Sequence, residues 1–479
     1  MSAVPFWVAG EPRSTGDTQQ ISCPYDDAEV GSHYQPSAAD IEAAVAAAVA
    51  AVPAARATTA TQRADALLHV SQRIAERADE IARLITGENG KPLMWARAEV
   101  GRAVSTFRWG AEEARRWSGE LQRLDTDPAA AGRMAVVRRF PIGPVLGVAP
   151  FNFPLNLVAH KVAPAIAVGA PIIIKPAPAT PLTALLLGEL LAETDLPAGM
   201  WSVLPLNNHD TAELVADPRL PIISFTGSDT VGYEIQAANP RKQVILELGG
   251  NAAAAVLADW SSPQDLDWAA TRIATFGNYQ AGQSCISVQR VFVDESLQEE
   301  FLPLLVSKLA GLRTGSPWDD DVLVGPVINE SAAERISTWI DQAVSSGARL
   351  LTGGVRQGTS VAPTLLTDVP PQAPISCQEV FGPVMTVATV AGVDEAFAAI
   401  NDSRFGLQAG LFTHDVRTAF RAQRELEVGG VIIGDVPSYR ADQMPYGGLK
   451  DSGHGREGLR AAMHELTQDR VLVLTGLDL

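Results

Sequence analysis

From position 145 onward the chain alternates short, apolar runs with helical stretches, and this alternation restricts the fold more than any other feature. The runs at 145–148, 172–174, 222–225 and 244–246 are dominated by Val, Ile and Leu. They are too short for helices, and their composition suits strands buried on both faces. Such strands joined by helices predict a parallel sheet of the dinucleotide-binding type, with its ligand crevice at the carboxyl ends of the strands. The fold class expected is therefore α/β. A second α/β region is predicted from about Asn251 to about Tyr446, with a strand at 291–293.

Upstream, Ser37-Ala38-Ala39-Asp40 has the form of a capping box opening an Ala-rich helix through about Ala51, which Pro53 should end or kink. A second helix is predicted from about Thr61 to Ile85, stopped by Gly87. A third, over 96–121, carries Arg108 on one face. These helices read as an outer layer. Residues 121–140 and 468–479 are extended segments that no local core requires.

At 479 residues the chain should divide into two or three domains, and 46% hydrophobic with 19% charged residues is a globular composition. The net charge of −18 repels nucleic acid and anionic membranes, so neither is an expected partner. An anionic ligand would need locally placed basic groups. Cys23, Cys285 and Cys377 are too few for a disulfide framework, which points to a reducing cytoplasm. The first twelve residues lack a signal-peptide pattern. The apolar stretch 155–174 is broken by His160, Lys161, Pro164, Gly169 and Pro171, so no membrane span is expected there. No metal site is expected.

The chemistry concentrates in two glycine-flanked motifs. Glu247-Leu248-Gly249-Gly250 closes an apolar strand, and Gly282-Gln283-Ser284-Cys285 follows with its cysteine 38 positions beyond the glutamate. A carboxylate among apolar strand neighbours should have a raised pKa, suited to deprotonating water. A thiol set among backbone N–H groups suits nucleophilic attack on a carbonyl. Gly227-Ser228-Asp229-Thr230-Val231-Gly232, where a strand meets a helix N-terminus, reads either as a pyrophosphate loop or as a plain β-α turn.

Together with Pro150-Phe151-Asn152-Phe153-Pro154, Lys175-Pro176, Ile223-Ser224-Phe225-Thr226-Gly227-Ser228 and Glu379-Val380-Phe381-Gly382-Pro383, these motifs stand in the order found in the NAD(P)-dependent aldehyde dehydrogenase superfamily, which the chain resembles along nearly its whole length. The resemblance implies Cys285 as nucleophile, Glu247 as the base that hydrolyses a thioester, and the Asn152 amide as an oxyanion donor. It implies Lys161 and Glu457 as a proton route. It sets NAD or NADP against Pro150, Phe151, Lys175, Ala177, Pro178, Gly227, Ser228, Val231, Leu248, Glu379 and Phe381. Pro178 stands where NAD-preferring members commonly carry a glutamate, so nothing there repels a 2′-phosphate and the choice of cofactor stays open. Leu206-Asn207-Asn208 lacks the usual Gly-rich turn, and Ala253 replaces a frequent proline.

The implied division is a Rossmann-like cofactor domain (1–121 and 142–248), a catalytic domain (249–446) and a small β bridging element (122–141 and 467–479). Through that element members form homodimers or homotetramers. Phe107-Arg108, Ala159-His160-Lys161, the run 282–290 and the segment from Pro437-Ser438-Tyr439-Arg440 through Met444-Pro445-Tyr446-Gly447-Gly448 are similar to the branch acting on lactaldehyde, glyceraldehyde 3-phosphate and phosphonoacetaldehyde. Arg108, His160, Tyr439 and Arg440 are then expected around a polar or anionic aldehyde tail. Two other functions use the same residues: a cofactor-independent thiol esterase, and a non-catalytic ligand-binding protein on the same fold.

Overall fold

The computed structural model of the chain describes residues 3–476. Its first large sheet has eight strands, in the order Glu11–Arg13, Phe6–Val8, Trp201–Val203, Ile172–Lys175, Val145–Val148, Ile222–Thr226, Gln243–Glu247 and Gly453–His454. The central five run parallel, while Phe6–Val8 and Gly453–His454 join antiparallel at either side. Register decides what meets at the carboxyl ends: Val148 lies opposite Lys175 on one side and Phe225 on the other, and Thr226 lies opposite Glu247.

Helices Ala60–Glu76, Leu93–Arg116 and Asn156–Val168 pack together beside this sheet, and every residue of Asn156–Val168 is buried, including His160 and Lys161. The second sheet runs Arg349–Thr352, Thr364–Thr367, Val384–Val390, Arg290–Asp294, Ala253–Val256, Gln408–Phe412 and Gly430–Ile433, parallel except at the first pair. Thr467–Thr475, Arg133–Pro141 and Glu120–Arg123 form a separate antiparallel sheet. Positions 477–479 of the expected bridging element lie outside the described residues.

Several helix boundaries differ from expectation. The Ala-rich helix is Ala38–Ala57, capped by the expected Ser37–Asp40 box, and runs through Pro53. Pro53 is exposed, so water can take the carbonyl its ring leaves unpaired. Long and apolar enough to span a bilayer, this helix buries Ala44, Val45, Ala48 and Ala55 in the first core. The expected 61–85 helix is two, Ala60–Glu76 and Ala78–Asn89, hinged at Arg77 (φ −103°, ψ 22°). Its stop is Gly90 in the left-handed region, and Gly87 lies inside the helix.

Candidate active site

The strand Gln243–Glu247 delivers Glu247 to the crevice at 3% exposure, with neither carboxylate oxygen hydrogen-bonded among the described residues. Burial, reinforced by the charge of Glu457, lifts its pKa well above the ordinary range, against the pull of Arg440 and Lys161.

Cys285 arrives on a strained loop. After helix Pro263–Asn278, residues Gln280, Ala281 and Gly282 are all left-handed (φ 54°, 56° and 70°), and each non-glycine in that region costs about 1–3 kcal/mol. A Cβ on Gly282 would stand 2.0 Å from the Gly382 carbonyl oxygen, so that approach needs glycine. Buried polar side chains hold the loop. Gln280 donates to the Asn152 carbonyl, Asn152 Nδ2 donates to the Gln283 carbonyl at 3.0 Å, and the Ile328 N–H donates to Gln283 Oε1 at 2.9 Å. The Cys285 N–H has no hydrogen-bond acceptor among the described residues. Burial pushes the thiol up to about 12, and the Tyr446 hydroxyl, 3.0 Å from Sγ, is the largest influence the other way.

Cys285, Glu247 and Asn152 share a cavity of about 750 Å³ with all eleven expected cofactor residues. Gly227 and Ser228 stand at the N-terminus of helix Asp229–Ala238, where Ser228 makes no side-chain cap. Lys175 is buried, lowered to about 8, and forms no ion pair among the described residues. Glu379 Oε1 accepts the Gly250 N–H at 3.0 Å, and burial raises this carboxyl to about 7. The rings of Phe151 and Phe381 meet edge-on at 5.7 Å. Helix Asn208–Ala216 adds a wall that sequence reasoning missed, with Thr211, Ala212 and Val215 lining the cavity together with Val231 and Ile235.

Behind Glu247 lies a buried polar chain. Lys161 Nζ donates to Ser224 Oγ (3.0 Å), Thr226 Oγ1 (2.7 Å) and Glu457 Oε1 (3.4 Å), and Arg440 donates to Glu457 Oε2 at 3.0 Å. Burial opposes ionisation of Glu457, but Lys161 and Arg440 hold it down to about 2. Arg440 stacks 3.8 Å over the Tyr446 ring, with its Nε buried and unpartnered among the described residues.

The four expected tail residues do not converge. His160 lies in a second buried cluster, where Asp442 Oδ1 meets His160 Nε2 (3.0 Å), Arg102 (2.9 Å) and Asn156 Nδ2 (3.2 Å). Burial and the Arg440 charge lower His160 to about 4, so it is neutral near pH 7. Arg108 is exposed, because Phe107 takes the buried face of helix Leu93–Arg116, and Arg102 is the arginine of that helix that reaches the cluster. Tyr439 is 51% exposed. Arg102, Asp442, Gln280 and the Tyr446 hydroxyl were not legible as site residues. Of these, Asp442 and Tyr446 lie within the segment 437–448.

Residues 7–472 match the aldehyde dehydrogenase family. The chain belongs to this family. It is 38% identical to the 3-sulfolactaldehyde dehydrogenase of Priestia megaterium over 98% of this chain and 97% of that one. It is 36% identical to the sulfoacetaldehyde dehydrogenase of Neptuniibacter caesariensis, over 96% and 100%. Among solved structures it superposes on aldehyde dehydrogenase 21 of Physcomitrella patens, in complex with the reaction product succinate, with a TM-score of 0.97, 42% identity and coverage of 100% and 99%. It also superposes on the NADP-dependent glyceraldehyde-3-phosphate dehydrogenase of Bacillus halodurans, complexed with NADP (0.93, 34%, 99% and 100%). This aldehyde dehydrogenase is an NAD(P)-dependent oxidoreductase. Its cavity fits that cofactor class: a backbone-lined helix N-terminus for the pyrophosphate, a free cation at Lys175, and an apolar slot between two helices.

Proposed function

We propose that the enzyme oxidises a short aldehyde carrying an anionic group to its carboxylic acid, with a covalent thioester on Cys285 between the two half-reactions. Sγ attacks the carbonyl carbon, and the developing oxyanion is met by the Cys285 N–H and Asn152 Nδ2, an arrangement worth about 3 kcal/mol of barrier per donor. NAD(P)+, when bound, accepts the hydride. Glu247 then takes a proton from water, the hydroxide displaces the thiolate, and the proton has a buried exit along Lys161 and Glu457.

Arg440 carries the inference of an anionic tail. Its side chain is 5% exposed, keeps an Nε with no partner among the described residues, and stacks on the tyrosine whose hydroxyl touches the nucleophile. A guanidinium so placed lies one ring away from the sulfur and suits a sulfonate or carboxylate. The names of the relatives agree: sulfolactaldehyde, sulfoacetaldehyde and the acid succinate. At the adenosine end, Lys175, with no ion pair among the described residues, and Pro178 in place of a carboxylate support NADP+ at least as well as NAD+.

Cofactor reduction over sulfonated, carboxylated, phosphorylated and neutral aldehydes, with NAD+ and NADP+, tests this reading. Arg440→Ala should raise KM at least tenfold for an anionic aldehyde and much less for a neutral one of equal size. Equal losses on both would refute the anion site.

Residues 1–121 with 142–248, 249–446, and 122–141 with 467–479 serve as cofactor, catalytic and bridging parts. The exposed Val471, Leu472, Val473 and Leu474 of strand Thr467–Thr475 support assembly into dimers or tetramers. The three free cysteines support a cytoplasmic setting.

A further inference from the structure

Among the described residues the Cys285 sulfur has one hydrogen-bond partner, the Tyr446 hydroxyl at 3.0 Å. Tyr446 is 4% exposed and held from several sides. Ile286 and Leu407 pack with it, the Arg440 guanidinium lies 3.8 Å over its ring, and its backbone exchanges hydrogen bonds with Glu457 at 3.0 and 2.7 Å. The hydroxyl cannot swing away from the sulfur without disrupting these contacts. A thiolate only accepts hydrogen bonds, and burial keeps the phenol protonated, so the O–H is the available donor. The cation on the ring face draws electron density from the phenol and strengthens that donor.

We propose that Tyr446 is a catalytic residue of this enzyme: its hydroxyl donates to the Cys285 thiolate, stabilises it and aims it at the carbonyl carbon. This rests on Cys285 being the nucleophile. In the step served, the thiol proton has already left to solvent and a sulfur electron pair of the thiolate becomes the C–S bond. The carbonyl π pair moves onto oxygen, and the tyrosine hydrogen bond weakens as the sulfur loses its charge. The other groups that act on the thiol are Glu379 and Glu247, which oppose its ionisation, and Arg440, which favours it; Tyr279 is the remaining titratable neighbour. Without the Tyr446 donor, only Arg440 offsets burial and two carboxylates.

The test is the pH dependence of Cys285 alkylation by iodoacetamide, read on the Cys285 peptide by mass spectrometry, alongside steady-state kinetics. Tyr446→Phe should slow alkylation about tenfold at pH 8, move the midpoint of the rate profile up by about one pH unit, and lower kcat/KM for the aldehyde about tenfold. NADP+ binding should be unchanged. Placing 3-fluorotyrosine, a stronger donor, at position 446 should move the midpoint the other way. That second variant keeps the test decisive if the phenylalanine variant folds poorly. Superimposable alkylation profiles for the wild type and the variants would overturn the proposal while an inactive Cys285→Ala leaves the nucleophile intact. Retained aldehyde oxidation by Cys285→Ala would instead remove the nucleophile assignment, and this proposal with it.

Discussion

Glu247, the proposed base, is buried with no hydrogen-bond partner among the described residues, and that has a measurable pH signature. Its carboxyl is lifted well above the usual 4.5, first by burial and then by Glu457. The ionised form that accepts a proton from water is therefore gained only as pH rises through this raised value. Turnover limited by thioester hydrolysis should rise along an acid limb lying above the ordinary carboxylate range, and Glu247→Gln should abolish that limb and cut kcat by about 10²–10⁴. A pH–kcat profile checks both, and an acid limb at the ordinary carboxylate value would contradict the assignment. Cys285 and Glu247 were legible in the sequence because glycines punctuate both motifs and an apolar strand leads into one of them. Arg440 was legible as a cation but not as a partner of Glu457. Arg108 was misplaced because a helix turns about 100° per residue, and Phe107, one position earlier, claims the core.

The element that carries Asn152 is held from below by an ion pair that no motif announced. Glu99, on helix Leu93–Arg116, accepts the Leu155 and Asn156 N–H groups at 2.9 and 3.1 Å, capping the start of helix Asn156–Val168. Its other oxygen pairs with Lys91, and both side chains are fully buried. Lys91 in turn sits 4.1 Å over the Phe153 ring. The loop Pro150–Pro154 is thus fixed at its carboxyl end by a buried charge pair. Removing one partner strands the other, at a cost of about 3–5 kcal/mol. Glu99→Ala should therefore lower the thermal midpoint by roughly 10 °C, measured by calorimetry, and depress kcat as the loop loosens. An unchanged midpoint would show that the pair holds nothing. The strands, whose apolar runs are unambiguous, were legible at this scale, whereas the hinge at Arg77 was not: no glycine or proline marks it, and only the packed structure shows Arg77 bonded to Glu80 and Glu189.

Over the whole molecule the parallel sheet does the positioning: register alone lines up Lys175, Thr226 and Glu247 along one crevice, and the alternation of strand and helix in the sequence already implied that crevice. The proposed assembly uses the small sheet, where four consecutive apolar side chains of Thr467–Thr475 are exposed. Val471→Asp combined with Leu472→Asp should reduce the light-scattering mass to that of one chain of 50.7 kDa without unfolding the protein. An unaltered mass would place the interface elsewhere. Covalent oxidation through Cys285, resolved by Glu247, is the core of the proposed mechanism. It is tested most directly by mixing the Glu247→Gln variant with NADP+ and an anionic aldehyde, then weighing the Cys285 peptide after an acid quench. We expect a burst of about one equivalent of reduced cofactor per active site and an acyl mass on Cys285 that persists because the base is missing. A burst with no adduct on Cys285, or full steady turnover by this variant, would contradict it.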